Sequence, residues 1–362
     1  MRISFRRYLG SMRWFHIPAA AGFALVGYQQ YRHIRDRERR KLQTQTPEEL
    51  VIPSWQVTLL KQLPTRSLSR VAGMLTDITL PIWLRWAAFS AYAWAFKCNM
   101  EEAEVEDITC YESFGKFFTR HLKDGARVID KDHDLVSPAD GQILCFGAVC
   151  DDKIEQVKGI NYSLSTFFGP DSEIVKYCRN SSANGHVNSP TKNGACVDKC
   201  LYHCVIYLSP GDYHRFHSPT EWKIQYRRHF PGTLMSVSPL ALKFVRGLFA
   251  YNERVNLRGE WKHGLFSMTA VGAYNVGSIK INFDSDLATN LPGSFTEGVF
   301  KDFHYAKSSV SSVGVGRGEN IGEFNFGSTI VLLFEAPTDF NFTVDLGQKI
   351  KYGQAIGTSG LQ

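Results

Sequence analysis

Residues 322–336 read GEFNFGSTIVLLFEA, a polar, glycine-bearing approach that runs into the apolar strand Ile330–Phe334. An apolar, β-branched run of this length, entered through glycine and serine, is the pattern of a buried strand. Two further runs repeat it: CVIYLS at 204–209 and SIKINF at 278–283. Gly, Pro, Asn and Asp lie between such runs from about Leu135 onward, so the C-terminal two-thirds reads as mostly β. The polar stretch 176–199 reads as a surface loop, with Cys204 opening the strand after it.

Upstream the pattern is helical. Thr46-Pro47-Glu48-Glu49 has the form of a capping box with proline at the first helical position, and a helical zone follows to about Met100, interrupted at Pro53, Pro64 and Pro81. Within it Leu80–Phe96 is apolar, with Trp83, Trp86 and Trp94 around the single charge Arg85. Either this is a buried core helix, or it lies in a bilayer surface, where tryptophan is favoured. The fold class expected is therefore α+β: N-terminal helices, then a compact β-rich body.

The 362 residues, 44% hydrophobic and 21% charged, have globular composition, which excludes a disordered, collagenous or disulfide-scaffold chain. The net charge of +6 is unevenly spread. Residues 1–45 carry +8 and the remainder −2, so the body is not a basic nucleic-acid binder. Residues 1–13 (MRISFRRYLGSMR) are basic and free of acids, the character of a mitochondrial targeting segment. Residues 14–31 have aromatic ends and an apolar centre and are expected to be a transmembrane anchor, although Ile17–Val26 is short for a span. A secretory signal is the alternative, without a good cleavage site after Val26. Residues 32–45 form a basic linker, and 46–362 the main domain. Lysine and arginine are similar on both flanks of the anchor, so charge does not set its orientation. The 8 cysteines and the sequons at Asn161, Asn180 and Asn341 leave the compartment open.

Three short constellations can carry chemistry. Ser137-Pro138-Ala139-Asp140-Gly141 is by itself a turn. Gly211-Asp212-Tyr213-His214-Arg215-Phe216-His217 follows a buried strand, and its histidines can take and return protons near neutral pH. Neither HxxH nor the Cys196, Cys200, Cys204 and His203 group matches a metal-site spacing, so no metal is expected. Gly327-Ser328 stands at the mouth of a strand, unlike the serine elbow of an α/β-hydrolase, which a helix follows. Asp, His and Ser together are the parts of a relay that activates a nucleophile.

A Gly-Ser bond admits one further reaction. Ser328 Oγ, once deprotonated, can attack the carbonyl of Gly327, which no Cβ shields. The amide becomes an ester, β-elimination frees the upstream chain, and the remaining dehydroalanine hydrolyses to a pyruvoyl group. That ketone forms a Schiff base with an amine and serves as an electron sink for decarboxylation, with no diffusible cofactor.

The chain resembles the phosphatidylserine decarboxylase family in its mitochondrial proenzyme form. The likeness rests on FGKFFTRHLKDGAR (114–127), SPADG (137–141), QVKGINYSL (156–164), YHRFHSP (213–219), HFPGTLMSV (229–237), VGAYNVGSI (271–279) and GEFNFGST (322–329), in the family's order over roughly residues 60–360. The resemblance implies Asp140 and His217 as relay residues and Ser328 as the serine that becomes pyruvoyl. It implies His214 as candidate proton donor in the decarboxylation. Phe326-Gly327-Ser328 replaces the family's usual Leu-Gly-Ser, and Arg127-Val128 its usual Arg-Pro.

It further implies cleavage between Gly327 and Ser328 into a large chain ending at 327 and a small chain, 328–362, that stay associated. Asp140 would polarise His217, the base for Ser328, and the strand would keep the new end buried. The implied reaction turns phosphatidylserine of a membrane into phosphatidylethanolamine and CO2, with neither metal nor nucleic acid and with a homo-oligomer as an option. The implied location is the mitochondrial inner membrane, single-pass, with the body in the intermembrane space. Two other classes stay open: a membrane-anchored Ser-His-Asp hydrolase that remains whole, and a membrane-tethered β-rich binding protein in which these residues are only turns.

Overall fold

Among the described residues, proline precedes each of the first three helices. The computed structural model describes residues 53–149, 153–157, 160–170, 172, 174–175, 187–190, 196–274, 278–293, 295–305, 312–325 and 327–360. The chain divides into two units, Met1–Leu50 and Val51–Gln362. The targeting, anchor and linker segments and the capping box all fall in the first unit, outside the described residues. Among the described residues no helix is long and apolar enough to cross a membrane.

Helices α1 (Ser54–Gln62), α2 (Thr65–Asp77) and α3 (Ile82–Phe96) directly follow Pro53, Pro64 and Pro81. A ring that lacks an N–H and holds φ near the helical value costs nothing at a helix start. Helix α3 buries only Phe89, which stacks on Phe117 of the short α4 (Phe114–Phe118) with ring centroids 4.9 Å apart. Trp83, Trp86 and Trp94 stand exposed. The core-helix reading of Leu80–Phe96 is thereby corrected: Phe89 is its one buried residue, with Leu80, Tyr92 and Ala93 packed beside it on one face, while the tryptophans face outward.

Among the described residues the body holds eighteen strands. The first six are β1 (Leu135–Val136), β2 (Gly141–Ala148), β3 (Lys153–Val157), β4 (Ile160–Ser163), β5 (Val187–Pro190) and β6 (Cys196–Leu208). Next come β7 (Arg215–His217), β8 (Trp222–Phe230), β9 (Arg254–Trp261), β10 (Gly264–Gly272), β11 (Ile279–Ile281) and β12 (Lys301–His304). The last are β13 (Val313–Val315), β14 (Asn320–Phe324), β15 (Ser328–Pro337), β16 (Asn341–Phe342), β17 (Lys349–Ile350) and β18 (Ala355–Thr358).

The main sheet runs β12-β8-β9-β10-β15-β6-β2-β17, with β13 also on β8 and β5 on β6. Strand β15 lies between β10 and β6, and every residue from Ser328 to Ala336 is buried. Burial on both faces is the reason its sequence does not alternate. Gly141 is required where β2 meets β6, since a Cβ there would stand 2.4 Å from the Tyr207 carbonyl oxygen.

Two readings of strands need correction. Part of 176–199 is not loop, because Val187–Pro190 pairs with Cys196–Lys199. Polar residues persist there because an antiparallel pair needs only backbone groups to form and can keep one face wet. Cys204 accordingly lies within β6 rather than at its start. A smaller sheet, β11-β14-β7, sets the histidine-bearing strand beside the approach to Ser328.

Candidate active site

Ser328 is the first residue of β15, opposite Gly272 on one side and Leu208 on the other. It is fully buried, and its Oγ has no hydrogen-bond partner. Burying such a group without a partner is costly, so its presence calls for a reason. Gly327 before it is not demanded by packing, since a Cβ there would meet nothing within 4 Å.

His214 comes from the turn after β6 and His217 from the end of β7. Asp212 closes this turn by accepting from the Ser209 amide at 2.8 Å. His214 is buried against the Phe118 ring, 4.1 Å between centroids, with Nδ1 donating to the Asp212 carbonyl at 2.7 Å. Its Nε2 is therefore the bare nitrogen, and it has no partner. The backbone of His214 accepts from the Phe324 amide at 3.0 Å, which ties this turn to the strand leading to Ser328.

His217 donates from Nδ1 to the Gly318 carbonyl at 2.9 Å, leaving Nε2 to accept from Tyr213 Oη at 3.1 Å. Its ring lies flat on Tyr352, 3.9 Å between centroids and 2° between planes. Burial, chiefly, lowers His217 to about 4 and His214 to about 3, so both are neutral at physiological pH. A neutral imidazole is the form that accepts a proton.

Asp140 is not hydrogen-bonded to His217. Its carboxylate takes Arg127 Nη2 at 2.5 Å and Nε at 3.3 Å, and accepts from the Tyr352 amide at 2.9 Å. Burial raises its carboxyl against the pull of that guanidinium. Asp140 and His217 are joined at one remove, because Tyr352 binds the carboxylate with its amide and stacks on the imidazole with its ring. The His217 amide also donates to the Pro138 carbonyl at 2.7 Å. Ser328 forms a hydrogen bond with neither Asp140 nor His217.

Arg127, Tyr213 and Tyr352 are site residues that reading by motif passed over. Arg127 ends a quoted motif and could have been flagged as the counter-charge of a buried aspartate. Tyr352 carries no local signal, since only the pairing of β17 and β18 with the body brings it to His217. No group of metal-ligating side chains is found among the described residues.

Residues 114–358 match the family described as phosphatidylserine decarboxylase. The chain belongs to that family. A rat protein named phosphatidylserine decarboxylase proenzyme, mitochondrial, is 48% identical over 97% of this chain and 86% of its own length. The Schizosaccharomyces pombe proenzyme 1 of the same name is 40% identical over 93% of this chain and 88% of its own. The Saccharomyces cerevisiae proenzyme 1 is 36% identical over 85% and 75%. Phosphatidylserine decarboxylases are carboxy-lyases, so the chain is an enzyme, and all seven quoted motifs lie within or just before the β body that the match covers.

Proposed function

We propose that the chain cuts itself between Gly327 and Ser328 and that the product decarboxylates phosphatidylserine to phosphatidylethanolamine. The observation that carries this reading is the buried, unpartnered Ser328 Oγ beside a glycine that packing does not require. The relatives' word proenzyme agrees with processing.

In the cut, His217 Nε2 takes the Ser328 hydroxyl proton, after its bond from Tyr213 opens. The oxygen attacks the Gly327 carbonyl carbon, the C–N bond breaks, and the amine leaves with the proton that His217 returns. Loss of the Ser328 Cα proton then expels the Gly327 carboxylate from Cβ. Addition of water to the resulting dehydroalanine releases ammonia and leaves a pyruvoyl end. That group supplies an electrophilic ketone for the substrate amine and a sink for the electrons that CO2 leaves behind. His214, with Nδ1 fixed by the Asp212 carbonyl, is assigned to take at its bare Nε2 the proton that the substrate ammonium loses on condensing with the ketone, and to hand that proton to the product carbon.

The exposed tryptophans of α3 support contact with the bilayer that holds the substrate. Residues 14–31 are assigned as the anchor and 1–13 as the targeting segment, in a protein of the mitochondrial inner membrane whose body faces the intermembrane space. The word mitochondrial in the relatives' names supports that compartment.

The test is denaturing electrophoresis of protein tagged at its C-terminus. Wild type should run as two chains and Ser328→Ala as one, and the intact mass of the small chain should match a pyruvoyl end. A single wild-type chain that still releases CO2 from phosphatidylserine overturns the reading.

A further inference from the structure

Four arginines are buried among the described residues, and three are answered. Arg227 pairs with Asp284 and Arg228 holds Asp302 with two nitrogens. Arg254 donates to the carbonyls of Phe167, Ala250, Asn252 and Thr166. Arg120 has no comparable partners. It is 4% exposed, its Nε is unpartnered, and its one hydrogen bond is a long 3.5 Å contact from Nη1 to the Phe117 carbonyl. The Phe117 ring lies 5.6 Å from its guanidinium carbon. A buried guanidinium without a counter-charge is strongly unfavourable, and its natural complement is an anion.

The place is informative. Phe118, two residues before Arg120, packs on the His214 ring, and the Thr119 carbonyl accepts from Arg215 Nε at 2.8 Å. Residues 118–120 thus run alongside the strand that carries the histidines. His214 Nε2 is the other unanswered polar atom there. After burial and the Asp212 carbonyl, the Arg120 charge is what acts on this imidazole, and it favours the neutral form.

We propose that Arg120 binds the phosphodiester anion of the phospholipid head group. The inference rests on the decarboxylase reading above. The substrate carries two anions, a phosphodiester and a carboxylate. A guanidinium on the carboxylate would stabilise a charge that the reaction removes, and so would raise the barrier. On the phosphodiester it meets a charge that is the same in substrate, transition state and product, which is uniform binding. Its planar fork also matches two phosphoryl oxygens.

Uniform binding predicts an effect on KM and not on kcat. The experiment compares wild type, Arg120→Gln and Arg120→Lys on soluble short-chain phosphatidylserine. Glycerophosphoethanolamine, which has the phosphodiester only, and L-serine, which has the carboxylate only, serve as inhibitors. Both variants should split into two chains. Arg120→Gln should raise KM by about tenfold to a hundredfold, the range of a charge-assisted hydrogen bond. Its kcat should stay near the wild-type value, with Arg120→Lys between the two in KM. Inhibition by glycerophosphoethanolamine should weaken in step and inhibition by serine should not.

An unchanged KM overturns the proposal. So does loss of serine inhibition with glycerophosphoethanolamine inhibition retained, which would put the carboxylate on Arg120. Failure of both variants to split, where wild type splits, assigns Arg120 to the fold and also overturns it. A wild type that does not split sinks the underlying decarboxylase reading, and the proposal with it.

Discussion

His217 is held between a carbonyl at Nδ1, a phenol at Nε2 and a ring face, and its burial decides when it can act as a base. Because its value is about 4, it stays neutral far into acid. Self-cleavage, followed as appearance of the small chain in folded protein, should fall with a midpoint near 4. A fall centred on the 6.5 of a free imidazole would place the base elsewhere. Gly327→Ala tests the neighbouring residue. Nothing lies within 4 Å of the added Cβ, so the protein should fold with unchanged thermal stability. Cleavage should slow by roughly tenfold, about 1.4 kcal/mol on the barrier, because the attacked carbonyl is crowded. Normal cleavage in that variant would assign the glycine some other role.

At the scale of elements, β15 begins at the proposed point of scission and is a strand paired along its length. Ser328 through Pro337 stays laddered to β6, and Ser328 through Phe334 to β10. The same segment supplies β16 and β18, which pair with each other and, through β18, with β1, and β17, which pairs with β2. The cut leaves these ladders in place, so the small chain should co-purify with the large one and separate only in denaturant. Release under native conditions would contradict that. Helix α3 supports a second expectation at this scale. Trp83 is 79% and Trp86 65% exposed, so Trp83→Ala with Trp86→Ala should leave the melting temperature unchanged. Sedimentation with phosphatidylserine vesicles should weaken; equal binding would remove α3 from the membrane contact.

At the scale of the whole molecule, the buried His203, His214 and His217 couple the fold to pH. His203 and His217 are lowered to about 4 and His214 to about 3, in each case mainly by burial. The unfolded chain binds their protons from about 6.5 downward, so stability is complete above that pH and is lost as pH falls toward 4. Each histidine contributes a slope of up to about 1.4 kcal/mol per pH unit inside that window. Denaturant midpoints should therefore drop between about pH 7 and about pH 5. A flat profile would mean that these side chains reach water in the native state.

Much of this was legible in the chain itself, for physical reasons that are local. A run such as Ile330–Phe334 makes a central strand because it has nothing polar to show to water on either face. Proline marks helix starts at 53, 64 and 81 because its ring fixes φ and brings no donor. The order of the motifs carries the family. Tertiary structure alone decided the partners. It put Arg127 rather than His217 on Asp140, set the Tyr352 ring on His217, turned the tryptophans of α3 outward, and left Arg120 buried without a counter-charge. Those contacts join residues distant in the chain, and no local preference of side chain or backbone encodes which distant group will arrive.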